Sequence, residues 1–346
     1  MSKQIRIDEN SRIPKYRQIV DAIVNDIVKG EIEIDQKLPS INSFSEHYLL
    51  SRDTVEKAYH ILKERKVITP IPGKGYYVSR KPVISKLNIL FLINKLSAPK
   101  ACIYNAFINA IGDNSHVDLH IYHCESEIFM NLLEKNRNIY DYYMIMPHFK
   151  TKDGKHISYT DEVLEAINNI PKQKLILLDN NKLEIDGDIV NIYQDFENDI
   201  YNALKEGLNK ITTYGKLILV YSESAIYPQP KRILLGFRKF CAEYDMPFEI
   251  LDRVFEDMVI KKGDLFITLE ENDLVYLVKL IRENNYSLGK EIGVISCNDT
   301  SLKELLGITV ISTDFRAMGE TASRMILNNE KGIVKNPFRF IDRNSI

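Results

Sequence analysis

SRDTVEKAYHIL, residues 51–62, has the pattern of a capped amphipathic helix. Ser51 can accept from the first free backbone N–H groups, and Val55, Ala58, Tyr59 and Leu62 recur at helical spacing, which predicts a helix running to about Lys66. Its two bases, Arg52 and Lys57, are matched by Asp53 and Glu56, so the start of the helix carries no net charge. Upstream, IPKYRQIVDAIVNDIVKGEI places Tyr16, Ile19, Val20, Ile23 and Ile27 on one helical face between Pro14 and Gly30. LPSINSFSEHYLL offers Ser40 as the cap of a short second helix. Downstream, VITPIPGKGYYVSR is two β-prone runs around Pro72-Gly73-Lys74-Gly75, which predicts a hairpin. Three helices followed by a hairpin make a winged helix-turn-helix.

The segment 14–79 resembles the GntR-type DNA-binding domain, through PKYRQI, KLPS, SRDTVEKAYHIL and PGKGYYV in that order. The resemblance implies that residues 51–62 enter the major groove, that Arg52 contacts DNA, and that the hairpin tip at Gly73 and Lys74 reaches the minor groove. One departure is visible: where the family has Glu-Arg after LPS, this chain has Ile41-Asn42, and Asn42 can still bond to phosphate or base. The expected DNA-binding residues are Lys15, Ser40, Asn42, Ser51, Arg52, Asp53, Thr54, Lys57, Gly73 and Lys74. Attraction to phosphate depends on charge alone, and Lys15, Arg17, Lys37, Lys63, Arg65, Lys66 and Lys74 can supply it around a neutral helix. An acid on that helix can accept from cytosine N4, so Asp53 narrows sequence preference, whereas Glu56 is better read as part of a solvated face.

Charge divides along the chain in the same sense. Residues 1–82 carry a net +4 and residues 83–346 a net −6, so only the first part is expected to meet a polyanion. With 346 residues, the chain suits two or three domains. No run of about eighteen uncharged apolar residues occurs, and the polar start MSKQIRIDEN lacks a signal-peptide core, which predicts a cytoplasmic protein with no membrane partner. Cys102, Cys124, Cys241 and Cys297 are scattered without a CxxC pair and are expected to be reduced thiols.

After RKPVISK the texture changes. Apolar runs at 88–94, 142–147, 174–180, 216–222, 264–270 and 291–299 alternate with helical patterns near 100–114, 127–137, 160–169, 195–211, 230–244, 271–285 and 314–329. This alternation predicts a doubly wound parallel sheet in two lobes. Such sheets bind ligands at the carboxyl ends of their strands. The runs end in Asn94, His148, Asp179, Ser222, Glu270 and Asn298-Asp299, a set of amides and carboxylates that suits a polyhydroxyl ligand. Tyr104, Phe149 and Tyr227 are candidates to cover a sugar face.

Residues 88–343 resemble the periplasmic-binding-protein-like sensor of LacI-type repressors. The resemblance rests chiefly on LGKEIGVISCNDTSLKELLGITVISTDFRAMGETASRMIL (288–327), with LILLDN, VNIYQDFENDIYNAL, KRILLGFRKF and RFIDRNS matching in order. It implies effector contacts at Asp179, at Glu270 or Glu271, at Asn298 or Asp299, and at an arginine before GF. The family's arginine lies three residues before the glycine, a place held here by Ile233, which leaves Arg232, four before Gly236, as the candidate. Asn298 stands where the family has an aspartate.

The expected fold is therefore multidomain. A winged helix-turn-helix (α+β) over residues 1–79 and a linker over 80–87 lead into a two-lobed α/β periplasmic-binding-protein-like (type I) domain, for effector binding and dimerisation, over 88–346. A GntR-type reader joined to a LacI-type sensor resembles the arrangement of arabinose- or fucose-responsive sugar regulators. It implies a homodimer on double-stranded operator DNA, released by a monosaccharide, with a sugar phosphate as the alternative effector through Lys95, Lys100, Lys231 and Arg232.

No catalysis and no cofactor are expected. GxSxG, P-loop and HExxH motifs do not occur, and the pyridoxal-phosphate domain of some GntR-type proteins would need a longer chain. His116, His120, His123 and Cys124 are close in sequence, but in a strand over 118–123 His120 and His123 would face opposite sides, so no metal site is expected.

Overall fold

The N-terminal helices form where their caps and apolar stripes place them. In this computed structural model, which describes residues 7–8, 11, 13–79, 87–112, 115–181, 185, 187–223 and 225–346, α1 spans Lys15–Lys29, α2 Ile41–Tyr48 and α3 Arg52–Glu64. Gly30 closes α1 in left-handed backbone at φ 77°, the conformation that glycine adopts without steric cost. Ser40 caps α2 by accepting from Ser43 N at 3.1 Å, and Ser51 caps α3 by accepting from Thr54 N at 3.3 Å. The third helix stops two residues short of Lys66, because Lys66 takes left-handed backbone at φ 56°.

The antiparallel hairpin of β1 (Ile68–Ile71) and β2 (Gly75–Val78) follows, turning through Gly73 at φ 72°. Ile19, Val20, Ile23, Phe44, Val55, Tyr59, Leu62 and Val78 pack into one core. Tyr59 also donates from its hydroxyl to Pro39 O at 2.8 Å, which pins α3 to the turn before α2.

The chain divides into two compact units, residues 1–85 and 86–346. The expected linker 80–87 lies outside the described residues except for Leu87, which already begins β3 (Leu87–Ile93). In order follow α4 (Ala98–Ile111), β4 (Ser115–Ile121), α5 (Ser126–Lys135), β5 (Tyr142–Ile145), β6 (Phe149–Lys150), β7 (His156–Ile157), α6 (Asp161–Asn168), β8 (Leu175–Asn181) and β9 (Val190–Gln194). Next come α7 (Phe196–Glu206), α8 (Leu208–Ile211), β10 (Lys216–Val220), α9 (Lys231–Glu243), β11 (Phe248–Leu251), β12 (Asp264–Thr268) and α10 (Glu271–Glu283). The chain ends with β13 (Gly293–Cys297), α11 (Ser301–Leu305), β14 (Thr309–Thr313), α12 (Phe315–Leu327), β15 (Gly332–Lys335) and β16 (Phe338–Ile341).

Twelve of these strands form two six-stranded sheets, ordered β15-β9-β8-β5-β3-β4 and β11-β10-β12-β13-β14-β16, while β6 and β7 pair with each other in an antiparallel hairpin. Every pairing in the six-stranded sheets is parallel except β14 with β16. Each sheet buries both faces, so its strands alternate between two cores. In β3, Ile89, Phe91 and Ile93 face one core while Leu90 and Leu92 face the other. In β12, Leu265 and Ile267 face away from Phe266.

The two lobes exchange chain at three places. From β9 in the first sheet the chain enters α7, which packs on α9 in the second lobe; from β14 it returns to α12, which packs on α4; and β15 leads across again to β16. The α12–α4 contact is close because Gly319 has no Cβ: one placed there would meet Ile103 O at 2.4 Å. Gly236, in the GF pair of α9, is required for the same reason, since a Cβ there would lie 2.1 Å from Glu197 O.

Candidate functional site

In the N-terminal unit, the helical period that buries Val55, Ala58, Tyr59 and Leu62 turns Arg52, Asp53, Glu56 and Lys57 outward, and all four are exposed. Ser51 and Thr54 hydroxyls sit 2.7 Å apart, so the cap and the first turn of α3 form one small hydrogen-bonded group. Lys57 Nζ lies 4.2 Å from the centre of the Tyr16 ring, which ties α3 to α1 through a cation–π contact. Ser40 and Asn42 are exposed at the start of α2, Gly73 and Lys74 are exposed at the hairpin tip, and Lys15 is half-buried at the first turn of α1.

In the C-terminal unit, a cavity of about 320 Å³ opens at the carboxyl ends of seven strands. β3 brings Asn94 and Lys95 to it, β5 His148, β8 Asp179, β9 Gln194, β12 Glu270, β13 Asn298 and β14 Thr313. The first turn of α4 adds Lys100, and that of α11 adds Lys303. Asp179 and Asn298 both have left-handed backbone, at φ 52° and 65°. Asp and Asn tolerate this region better than most residues, and strain of this kind gathers at functional positions.

Asp179 is the centre of the polar network. Its Oδ2 accepts from Lys100 Nζ and its Oδ1 from Gln194 Nε2, and Gln194 Oε1 in turn accepts from Thr313 Oγ1. His148 Nε2 lies 3.3 Å from Asp179 Oδ2, and His148 Nδ1 lies 2.9 Å from His156 Nε2. A proton on His148 Nε2 avoids setting a lone pair against the carboxylate, and it leaves Nδ1 to accept from His156. Burial, with the Lys100 ammonium beside it, pushes His148 well below its ordinary value and His156 down to about 4, so both rings are neutral. Burial and then Lys95 push the Lys100 ammonium down to about 7, while the Asp179 contact favours its charged form.

The other cations at the cavity are also held. Lys303 donates to the carbonyls of Cys297 at 2.6 Å and Asn298 at 2.9 Å. Lys95 lies 3.9 Å from Glu270 and over the Tyr227 ring at 5.4 Å, and Glu270 accepts from Gln229. Asn94 Oδ1 is buried without a hydrogen-bond partner.

Asn94, His148, Asp179, Glu270 and Asn298 thus come together, along with Tyr227. Five other expected effector residues lie elsewhere. Phe149 is fully buried in the core with Leu90, Leu92 and Ile145 and stacks on Tyr122 at 4.9 Å. Tyr104 lies on the core side of α4, stacked on Phe91 at 6.3 Å. Ser222 follows β10, next to the sheet edge, and bonds to Asp252 at 2.9 Å. Arg232 projects outward and lies 3.5 Å from Glu197; one residue of helical rotation puts Ile233, not Arg232, in the cavity wall. Asp299 turns away from Asn298 and makes two 2.9 Å bonds with Arg343. His123 falls beyond β4, in left-handed backbone at φ 51°, with Nδ1 3.0 Å from the Tyr227 hydroxyl. Gln194 and Thr313 had no signal in the sequence beyond their places at strand ends.

Comparison with known proteins follows the division into two units. A family model described as bacterial regulatory proteins, gntR family, matches residues 15–78. The transcriptional repressor YtrA of Bacillus subtilis is 33% identical over 75 residues, 22% of this chain and 58% of its own length. The arabinose metabolism transcriptional repressor of Geobacillus stearothermophilus is 34% identical over 68 residues, 20% of this chain and 19% of its own. The chain thus spans from 14% to 58% of the curated relatives that it matches.

Among solved structures, a LacI family transcriptional regulator from Lactobacillus casei with bound glucose aligns at a TM-score of 0.58 and 13% identity, over 75% of this chain and 99% of that one. A Lac repressor dimer bound to operator aligns at 0.56 and 18% identity, over 75% and 94%. Residues 15–78 are a GntR-type winged helix-turn-helix domain, and the α/β unit that follows has the two-lobed fold of the LacI-family, periplasmic-binding-protein-like regulators.

Proposed function

We propose that the protein is a transcriptional repressor of a sugar-catabolism operon, working as a homodimer on double-stranded operator DNA and released by a monosaccharide held between the lobes of its C-terminal unit. The observation that carries this reading is the union in one chain of a GntR-type reading head with a LacI-type fold whose cavity is lined by amides and carboxylates at the strand ends. Arg52 and Asp53 read bases, the surrounding Lys and Arg attract phosphate, and two copies of the head address a two-fold operator. Asn94, Asp179, Glu270 and Asn298 take hydroxyl groups, with Tyr227 against the sugar ring. Closure around the sugar changes the spacing of the two heads and lowers their joint affinity for DNA. Such a repressor works in the cytoplasm, and its role needs no catalysis.

A neutral sugar is favoured over a sugar phosphate because Lys100 and Lys303 already have protein acceptors and Lys95 is shared between Glu270 and Tyr227. The phosphate reading is supported by Lys95, just before α4, and Lys100, in its first turn. The test is binding of the purified protein to DNA upstream of its own gene cluster. A salt-sensitive preference for that DNA, reversed by one of a panel of pentoses, hexoses and deoxyhexoses, is expected. A response to phosphorylated sugars alone selects the second reading, and no DNA preference removes both.

A further inference from the structure

The effector carboxylate and the points where the chain changes lobes belong to one hydrogen-bonded chain. Asp179 lies two residues before the end of β8, and its Oδ1 accepts from Gln194 Nε2. Gln194 is the last residue of β9, directly before the crossover into α7. Through its Oε1 it accepts from Thr313, the last residue of β14, directly before the crossover into α12. Asp179, Gln194 and Thr313 are 5%, 5% and 4% exposed, so water cannot replace these bonds cheaply. The third crossover is attached to the same place: Asn336 N donates to Tyr193 O at 2.8 Å, and Asn336 Nδ2 donates to Asp314 O at 3.0 Å.

With Gln194 on Oδ1 and with Lys100 and His148 facing Oδ2, one acceptor site of the carboxylate is left for a further donor, and it is on Oδ1. A hydroxyl that bonds to Oδ1 shares that oxygen with the Gln194 amide and weakens the amide's hold on it. The amide is planar and its two ends are fixed to each other, so turning Nε2 away also moves Oε1 from Thr313. We infer that Gln194 is a positioning residue that holds the Asp179 carboxylate in the unliganded cavity and passes its occupation to the crossovers at 194–196 and 313–315. This rests on the reading of the cavity as the effector site, because occupation by a hydroxyl-bearing ligand is what moves the amide.

The experiment compares full-length wild type with Gln194→Met, Thr313→Val and Asp179→Asn. In the first arm no sugar is added, and amide hydrogen exchange is followed in peptides covering 190–198 and 309–317. All three variants are expected to raise exchange at both crossovers by about tenfold or more, with a Gln194→Met/Thr313→Val double variant no worse than either single one. Independent effects at the two crossovers, or an Asp179→Asn protein that exchanges there like wild type, overturn the proposal. In the second arm, L-arabinose, D-glucose and their relatives are titrated by calorimetry and then against the DNA complex. Thr313→Val is expected to need about tenfold more sugar to leave DNA than its own calorimetric sugar affinity accounts for, relative to wild type. Parallel behaviour in both assays overturns the proposal. Absence of any sugar response in wild type overturns the effector reading, and the first arm still decides whether the three residues act together.

Discussion

Arg52 and Asp53 stand exposed at the start of one helix, whereas Asp179 and Gln194 lie buried at the ends of two strands in a cavity assembled from seven. A side chain on the helix is supported by its own backbone and by little else, so replacing it changes what the surface recognises and leaves the fold alone. A side chain in the cavity is part of a mutually dependent set. Removing it leaves its partners buried and unsatisfied, so recognition and stability change together.

Asp179→Ala sets the contrast most sharply. It leaves the Lys100 ammonium in a buried site without its carboxylate, a loss of about 3–5 kcal/mol, and it abolishes the sugar response. Thermal unfolding of the variant should show an early transition for the C-terminal unit, with DNA still bound below it; Asp179→Asn should lose less. An unchanged melt would mean that the ion pair contributes nothing.

Acid comes next. His148 and His156 have folded values below their ordinary one, so their contribution is complete above pH 6.5 and is lost as the pH falls, for His156 through about 4. For His156 this amounts to about 3 kcal/mol. Denaturant titrations at pH 7 and pH 4 should show that loss, and His156→Phe should reduce it.

On the exposed side the expected effects are smaller and confined to DNA. Arg52→Ala should weaken operator binding by about 1–3 kcal/mol while leaving stability within about 0.5 kcal/mol of wild type. Asp53→Ala should mainly flatten the preference among related operators, and an equal loss on every sequence would contradict a base-reading role. The smallest expected change is structural: Ser51→Ala removes the cap of α3 and should cost about 1 kcal/mol, seen as a lower melting temperature for the N-terminal unit.

The same contrast explains what could be read without coordinates. The N-terminal unit is built from local signals, such as Ser40 and Ser51 as caps and Gly73 in a turn, and its elements follow them closely. In the C-terminal unit the long apolar runs announce β3, β8, β10 and β12, but β9 is interrupted by Asn191. That side chain is fully buried and accepts from Asn180 at 2.8 Å, a partnership between adjacent strands that no local pattern reveals. Lys100 looks like an ordinary helix-surface lysine until β8 places Asp179 against it. Arg232 and Ser222 failed for a geometric reason: adjacency to the right motif does not fix which way a side chain turns, and one residue of helix rotates it by about 100°.

The left-handed backbone at Asp179 and Asn298 limits how this cavity can diversify. A β-branched or bulky side chain at either position pays for its conformation before it meets any ligand, so substitutions there are confined largely to Asp, Asn and Gly. New specificity is cheaper to acquire from positions with ordinary backbone around them, and Ile233 is the open case. It lines the cavity on α9, at the position that the resemblance to LacI-type sensors assigns to an arginine. On the effector role proposed above, a cavity that keeps its two strained polar residues and varies Ile233 can change its preference between neutral and acidic ligands without rebuilding its floor.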